Sequence, residues 1–399
     1  MTETKYLQRA PLLDPMQRVL GYKLAWQSQG KGGETPVGAN LSQLLNLVVE
    51  HPGKSESNLL FLDTGSAALP AEILKSLTPA NTVLMLTRDD MANESTKSSV
   101  LSLRERGCGV VLRDVDLGFL VSDESLLPLV THVEVAVDHP ELAAISSHVR
   151  LTQPPFSVVV KQFSDWHEFD TCAALGLSGF FGNLCRTPRK IDSSGELGPQ
   201  TVLILQLMQM VQDNADVRDL EKVLKRDATL SYKLFRYINS ASFGIEVEIE
   251  SLRHAVSMLG YTPLYRWLSL LLAMTNTAGF SPALLQAAII RGRFAELLGQ
   301  GLLSRSESEN LFVVGMFSML DQLLGLPLEQ ILRQISLPEA IAQALLSRDG
   351  VYGPFLALAE ACEREDGRAS DYADALFMTD TRVNQAHVAA LAWAQSIKL

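Results

Sequence analysis

Hydrophobic spacing changes character once along this chain, near residue 200, and that change constrains the fold more than any other feature. Before it, short apolar runs recur at residues 59–62, 83–86, 110–112, 133–137, 158–160 and 180–181. Each is too short for a core helix and rich in β-branched or large apolar side chains, so each predicts a buried strand. Between them the spacing is helical, as at Leu41, Leu44, Leu45, Val48 and Val49, and at Ile73, Leu74 and Leu77. Strands alternating with helices imply a mostly parallel sheet, either open or closed as a βα barrel. Residues 6–13, an Asp14-Pro15 turn and residues 19–26 predict a hairpin ahead of the βα series.

After the change, apolar residues recur at i, i+3 and i+4. Val202, Leu205, Leu207 and Met208 begin the pattern, Leu220, Val223 and Leu224 continue it, and Leu230, Leu234, Phe235 and Ile238 follow. No strand signal interrupts it to the end of the chain. Residues 187–199 (TPRKIDSSGELGP) carry Pro, Gly and Ser breakers between the two regimes. The expected organisation is therefore α/β plus all-α: a βα-barrel domain over 1–190, a linker over 191–200, and a helical domain over 201–399.

The 34 basic and 45 acidic residues give a net charge of −11, and neither half is basic. General nucleic-acid binding and anionic-membrane binding both need a clustered positive field, so both are disfavoured. Cys108, Cys172, Cys185 and Cys362 form no C-x-x-C pair. That usage fits a reducing compartment and neither a zinc site nor a disulfide framework. The start, MTETKYLQRAPLLD, has no basic-then-apolar leader, and the apolar run 267–274 is far shorter than the ~20 residues of a membrane span. A cytoplasmic protein with no membrane contact is the expectation.

Residues 226–260, RDATLSYKLFRYINSASFGIEVEIESLRHAVSMLG, resemble the core of HDOD domains. The matching positions are Arg226, Asp227, Leu230, Lys233, Leu234, Arg236, Asn239, Ser240, Phe243 and Gly244, then Ile249, Ser251, Ala255, Leu259 and Gly260. The N-terminal half resembles a shortened, degenerate EAL domain, the cyclic-di-GMP phosphodiesterase fold. Leu20-Gly21-Tyr22-Lys23-Leu24 stands where that family has its G-Y-E-A-L strand, and the run from Gly176 to Gly182, with Pro188 beyond it, stands at its G-x-x-x-x-Q-G segment. The order of the two resembles the EAL–HDOD signalling family.

What the resemblance implies for chemistry depends on the metal ligands. Hydrolysis in EAL domains resembles two-metal phosphodiester chemistry, which needs anionic oxygens around hard cations. Lys23 stands at the motif glutamate, and a lysine offers donors only. Asp63 stands at the asparagine of the next strand, and Arg113-Asp114 at the paired aspartates. Met85, Ala136, Ser164 and Phe181 stand at a glutamate, a lysine, a second glutamate and a glutamine. The expectation from these substitutions is a protein that is not an enzyme, with no catalytic residues, no metal and no cofactor.

Lys23, Asp63, Arg113 and Asp114 remain the candidate ligand-binding residues. Two readings stay open for them: the cations pair with the carboxylates at the barrel mouth, or they hold a nucleotide without metal. The helical half carries only His254 and His387 and no His-Asp dipeptide, so it lacks the ligand set of an HD phosphohydrolase.

The HDOD-like residues read as architecture or as partner contact. Leu230, Leu234 and Ile238 form a core stripe, and Asp227 suits a helix N-cap near Ala228-Thr229. Asn239 and Ser240 can stop a helix, with Gly244 at a positive-φ turn. Arg226, Lys233 and Arg236 share a helix face that is either solvated or turned to an anionic partner. The functional expectation is a non-catalytic regulator acting through contacts with other signalling proteins. The alternatives are a non-hydrolysing cyclic-di-GMP sensor and, third, an active phosphodiesterase. A homodimer is a further expectation, as is a docking or interdomain role for the apolar run 264–274.

Overall fold

In the computed structural model, the residues described are 6–27, 44, 47, 59–63, 81–122, 125–163, 165–182, 198–227, 229–230, 232–233, 251–275, 281–333, 337–364 and 367–397. Eight strands close on themselves in sequence order. They are β1 (Leu7–Leu13), β2 (Val19–Trp26), β3 (Leu59–Asp63), β4 (Thr82–Leu86), β5 (Gly109–Leu112), β6 (His132–Ala136), β7 (Ser157–Lys161) and β8 (Gly179–Phe181). Of the two options left by the alternating pattern, the sheet takes the closed one.

The hairpin pairs β1 antiparallel to β2, and β1 also closes antiparallel on β8. All other neighbours run parallel. Asp14 makes the hairpin turn: its Oδ1 accepts from the backbone of Met16 and Arg18, each at 2.8 Å. Such a side-chain-to-backbone bond competes with strand pairing and so ends the strand.

Leu12, Phe61, Val83, Met85, Val111, Val159 and Phe181 fill the barrel interior. Phe61 and Phe181 meet edge to face at 5.0 Å. Met85 and Phe181 thus serve as packing beneath the barrel mouth. The helices beside the barrel are α1 (Arg88–Ala92), α2 (Glu94–Glu105), α3 (Leu117–Ser122), α4 (Leu142–Thr152) and α5 (Trp166–Ala174). Side-chain caps start several of them, as where Thr87 and Asp90 form a reciprocal capping box on α1. Leu44 and Leu47 are helical and buried, while the rest of the predicted helices around them and around Ile73 lies outside the described residues.

The chain divides into two compact units, 1–187 with 362–367 and 188–361 with 368–399. The short return at 362–367 is tied into the first unit by a buried Arg9–Glu363 ion pair at 2.9 Å and by Gln27 donating to the Arg364 carbonyl at 3.0 Å. A purely linear boundary does not anticipate that return.

The second unit is helical throughout its described residues. Its elements are α6 (Pro199–Gln212), α7 (Val217–Leu224), α8 (Leu252–Leu259), α9 (Tyr261–Ala273), α10 (Pro282–Gly299), α11 (Arg305–Phe317), α12 (Leu320–Leu324), α13 (Leu328–Leu332), α14 (Glu339–Ser347), α15 (Gly353–Glu363), α16 (Ala369–Ala375) and α17 (Asp380–Ser396). Helix α9 contains most of the run 264–274 and packs against α6 and α11, with Leu264, Trp267, Leu268 and residues 270–273 buried. A helix so enclosed presents no docking face, which corrects that part of the expectation.

Helices α10 and α11 cross where Gly292 and Gly315 face each other. A Cβ on Gly315 would lie 2.7 Å from the Arg291 carbonyl oxygen and 2.8 Å from Gly292 Cα. Both obstacles are backbone, so the helices themselves would have to separate. Gly315→Ala should therefore destabilise the protein by about 2 kcal/mol. Urea unfolding followed by circular dichroism tests this, and an unchanged midpoint would contradict the close crossing.

Candidate functional site

At the mouth of the barrel, where the parallel strands end, charged side chains from different strands converge above the apolar interior. β3 ends at Asp63, β5 hands over to Arg113 and Asp114, β6 carries Glu134, and β7 ends at Lys161. This is the end at which βα barrels hold their sites, because loops leaving the strand C-termini converge there.

Lys23 Nζ lies 3.1 Å from Asp63 Oδ2, and Arg113 Nη1 donates to Asp63 Oδ1 at 2.9 Å. One carboxylate thus spans two cations. Lys161 Nζ donates to Asp114 Oδ1 at 2.6 Å and lies 2.8 Å from Glu134 Oε1. Arg113 Nε approaches the same Glu134 oxygen at 3.5 Å. Three carboxylates and three cations are therefore interleaved, with Glu134 fully buried and Asp114 largely exposed.

Asp114 sits at φ +53°, a left-handed conformation that few non-glycine residues adopt. Aspartate is among those that tolerate it, and here the turn follows directly on the Arg113 amide donating to the Leu86 carbonyl at 2.8 Å.

Burial works against the charge on Arg113, but Asp63, Glu134 and Asp114 more than offset it, so its pKa is raised. Lys161 behaves alike: burial opposes its charge, hydrogen bonds to Asp114 and Glu134 outweigh that, and its pKa is raised. The network is built to keep both cations protonated.

Of the residues expected from sequence, Lys23, Asp63 and Arg113 come together. Asp114 joins them through Lys161 rather than through Arg113. Glu134 and Lys161 were not anticipated, since neither stands at a motif position; the motif lysine and second glutamate fall at Ala136 and Ser164. Ala136 stands at the strand end, one turn of alternation past Glu134, and Ser164 lies outside the described residues. A usable signal existed, since His132-Val133-Glu134-Val135-Ala136 puts an acid in the middle of an otherwise apolar strand, where a charge demands a partner.

A divalent cation needs carboxylate oxygens free to face it. In the arrangement here Asp63, Asp114 and Glu134 each face a lysine or arginine, and the described residues contain no group of three or more acidic, His or Cys ligands arranged for a metal. The mouth as arranged does not fit a divalent ion, and no step is derived through one.

In the helical unit, Asp227 Oδ1 accepts from the Leu230 amide at 3.0 Å, and its Oδ2 accepts from Gln200 Nε2 at 3.0 Å. Those bonds, the backbone one first, hold its pKa below the usual carboxylate value. Arg226 is exposed and Lys233 half-buried, while Arg236, Asn239, Ser240 and Gly244 lie outside the described residues. His254 sits in the first turn of α8, its amide donating to Ser251 Oγ at 3.1 Å, and His387 is buried with its ring stacked on Phe294 at 4.6 Å.

Residues 197–333 match the HDOD domain family. The cyclic di-GMP phosphodiesterase CdgJ of Vibrio cholerae is 27% identical over 376 residues, covering 91% of this chain and 86% of that protein. The uncharacterized protein YuxH of Bacillus subtilis is 22% identical over 374 residues, 90% of each. Among solved structures, the manganese/cyclic-di-GMP complex of Klebsiella pneumoniae BlrP1 aligns at 17% identity and a TM-score of 0.36. That alignment covers 46% of this chain and 55% of BlrP1, so the chain spans about half the length of the solved protein.

The expectation that the chain is not an enzyme is corrected by the match to CdgJ, which is named an enzyme and aligns along nearly the whole chain. That expectation rested on the residues standing at single motif positions, Lys23, Met85, Arg113, Ala136, Ser164 and Phe181, and on the missing HD ligand set. No described helix is long and apolar enough to cross a membrane. With a closed eight-stranded barrel ahead of a segment that matches the HDOD domain, and similarity to CdgJ along 91% of its length, the chain is similar to EAL–HDOD proteins.

Proposed function

We propose that this protein works in cyclic-di-GMP signalling, with the barrel mouth meeting the nucleotide and the HDOD domain passing the result on through contacts with other signalling proteins. The observation that carries the reading is the convergence of Lys23, Arg113 and Lys161 at one barrel rim. Cations of this kind recognise phosphate oxygens, arginine in a planar fork and lysine as a point charge. Asp114, the most exposed carboxylate of the set, is the one a phosphate would displace from Lys161 at least cost. The name of the relative CdgJ supplies the nucleotide to try and the reaction to look for, hydrolysis of a phosphodiester bond.

Calorimetric titration with cyclic-di-GMP, with and without magnesium or manganese, followed by chromatography of the nucleotide, tests this. Binding heat should appear and should fall at least tenfold in affinity in Lys161→Met and Lys23→Ala, since each removes a charge contact of the order of 1.4 kcal/mol or more to a phosphate. Linear product formed only with metal would assign hydrolysis and show that the ion pairs open to admit the ion. Absence of heat together with unchanged nucleotide would refute the reading.

A further inference from the structure

A second charged centre lies wholly within the helical unit, about a cavity of about 680 Å³. Four helices build it. Arg266 comes from α9, Arg293 and Glu296 from successive turns of α10, Phe312 from α11, and Trp393 from α17. Arg266 Nη1 donates to Glu296 Oε1 at 3.0 Å, and its Nη2 lies 2.9 Å from Oε2 as an ion-pair contact without hydrogen-bond geometry. Arg293 Nη1 reaches the same Oε2 at 2.9 Å. The Arg266 guanidinium lies 3.8 Å over the Phe312 ring and 4.8 Å from the Trp393 ring centre, and that of Arg293 lies 5.3 Å from Trp393.

An ion cluster serving only the fold would be expected to balance its charges and satisfy its donors. This one does neither. Two guanidiniums share one carboxylate, and the buried Nε atoms of both arginines have no acceptor among the described residues. Aromatic faces hold the guanidinium planes in fixed orientations, so their forks are preorganised rather than searching. At the cavity edge Arg305 is almost fully exposed and pairs with Glu309 at 3.0 Å. The volume is in the range of small-molecule sites and far larger than a bare ion needs.

We infer that this cavity binds a phosphomonoester of mononucleotide size, its phosphate set against Arg266 and Arg293 and its flat body against the apolar wall of Trp393, Val313 and Leu303. The phosphate would supply the negative charge that the arginine pair lacks. This site is separate from the barrel mouth, and the inference does not rest on the reading given for that mouth.

Thermal denaturation of the full chain with AMP, GMP, adenosine and inorganic phosphate tests it, because a ligand bound only to the native state raises the melting temperature. The mononucleotides should raise it, adenosine should not, and inorganic phosphate should raise it less. Glu296→Gln removes the competing carboxylate and should tighten mononucleotide binding roughly five- to tenfold, a gain that misfolding cannot mimic. Arg305→Glu, at an exposed position, should weaken binding by a few-fold. Lys23→Ala should leave it unchanged. The inference fails if neither mononucleotide protects at millimolar concentration, or if adenosine or phosphate alone protects as well. It also fails if Glu296→Gln and Arg305→Glu both leave affinity unaltered, or if Lys23→Ala abolishes binding and so moves the ligand to the barrel.

Discussion

Glu134→Ala should lower the unfolding free energy by about 3 kcal/mol, the lower part of the range for removing one partner of a buried ion pair. Glu134 is fully buried, while Lys161 and Arg113, its cationic neighbours at 2.8 and 3.5 Å, keep a modest exposure. Without the carboxylate, both cations stay at the mouth with less charge to face. Asp63 and Asp114 compensate in part, which is why the upper end of the range is not expected. Urea unfolding at neutral pH measures the loss, and a change below about 1 kcal/mol would mean that Asp63 and Asp114 alone suffice to balance Arg113 and Lys161. A double variant, Glu134→Met with Lys161→Met, should regain much of the stability, because two apolar side chains avoid the desolvation that the pair incurs. The same double variant should lose nucleotide affinity. Stability and ligand recognition at this rim are therefore expected to separate.

His132 should cost the fold about 3 kcal/mol as pH falls from 7 to 4. Burial pushes its pKa down to about 4, with a further contribution from the positive charge of Arg104 on α2. The ring meets Phe61 edge on at 5.4 Å, and its Nδ1 lies 2.9 Å from Thr131 Oγ1. In the unfolded chain an ordinary histidine takes its proton near pH 6.5. Between that value and about 4 the unfolded state binds a proton that the folded state refuses, so stability rises with pH across this window and is lost on acidification. The difference of about 2.5 pH units corresponds to about 3 kcal/mol. His132→Phe keeps a ring against Phe61 and removes the titration. Unfolding free energies measured at several pH values should show a shallower acid-side slope in the variant. Parallel slopes would mean that His132 is hydrated and titrates normally in the fold.

Two different kinds of information specified these sites. The strands of the barrel were legible because a buried parallel strand must be apolar on both faces, and short runs such as Val158–Val160 permit little else. The hairpin was legible from Asp14, whose side chain captures its own backbone. The mouth was legible only in part. Lys23 and Asp63 sit on their strands within clear motif landmarks, whereas Glu134 and Lys161 stand at none of the motif positions and were not singled out. Motif spacing marks single positions and does not register which other side chains of a strand reach the rim. The reading of the chain as a non-enzyme failed for a related reason, since it weighed single motif positions while the similarity to CdgJ runs along 91% of the chain.

Sequence by itself determined the alternation of strand and helix, the switch to all-helical structure near residue 200, the HDOD character of the second half and the candidacy of Lys23, Asp63, Arg113 and Asp114. Tertiary structure alone decided that the sheet closes, because closure depends on β8 pairing with β1 across some 170 residues of chain. It alone decided which cation meets which carboxylate, since those partners lie 21 to 50 residues apart in the chain. The arginine pair of the helical unit was equally hidden. Arg266, Arg293, Phe312 and Trp393 share no local pattern, and only the packing of four helices brings their charges and rings to one cavity.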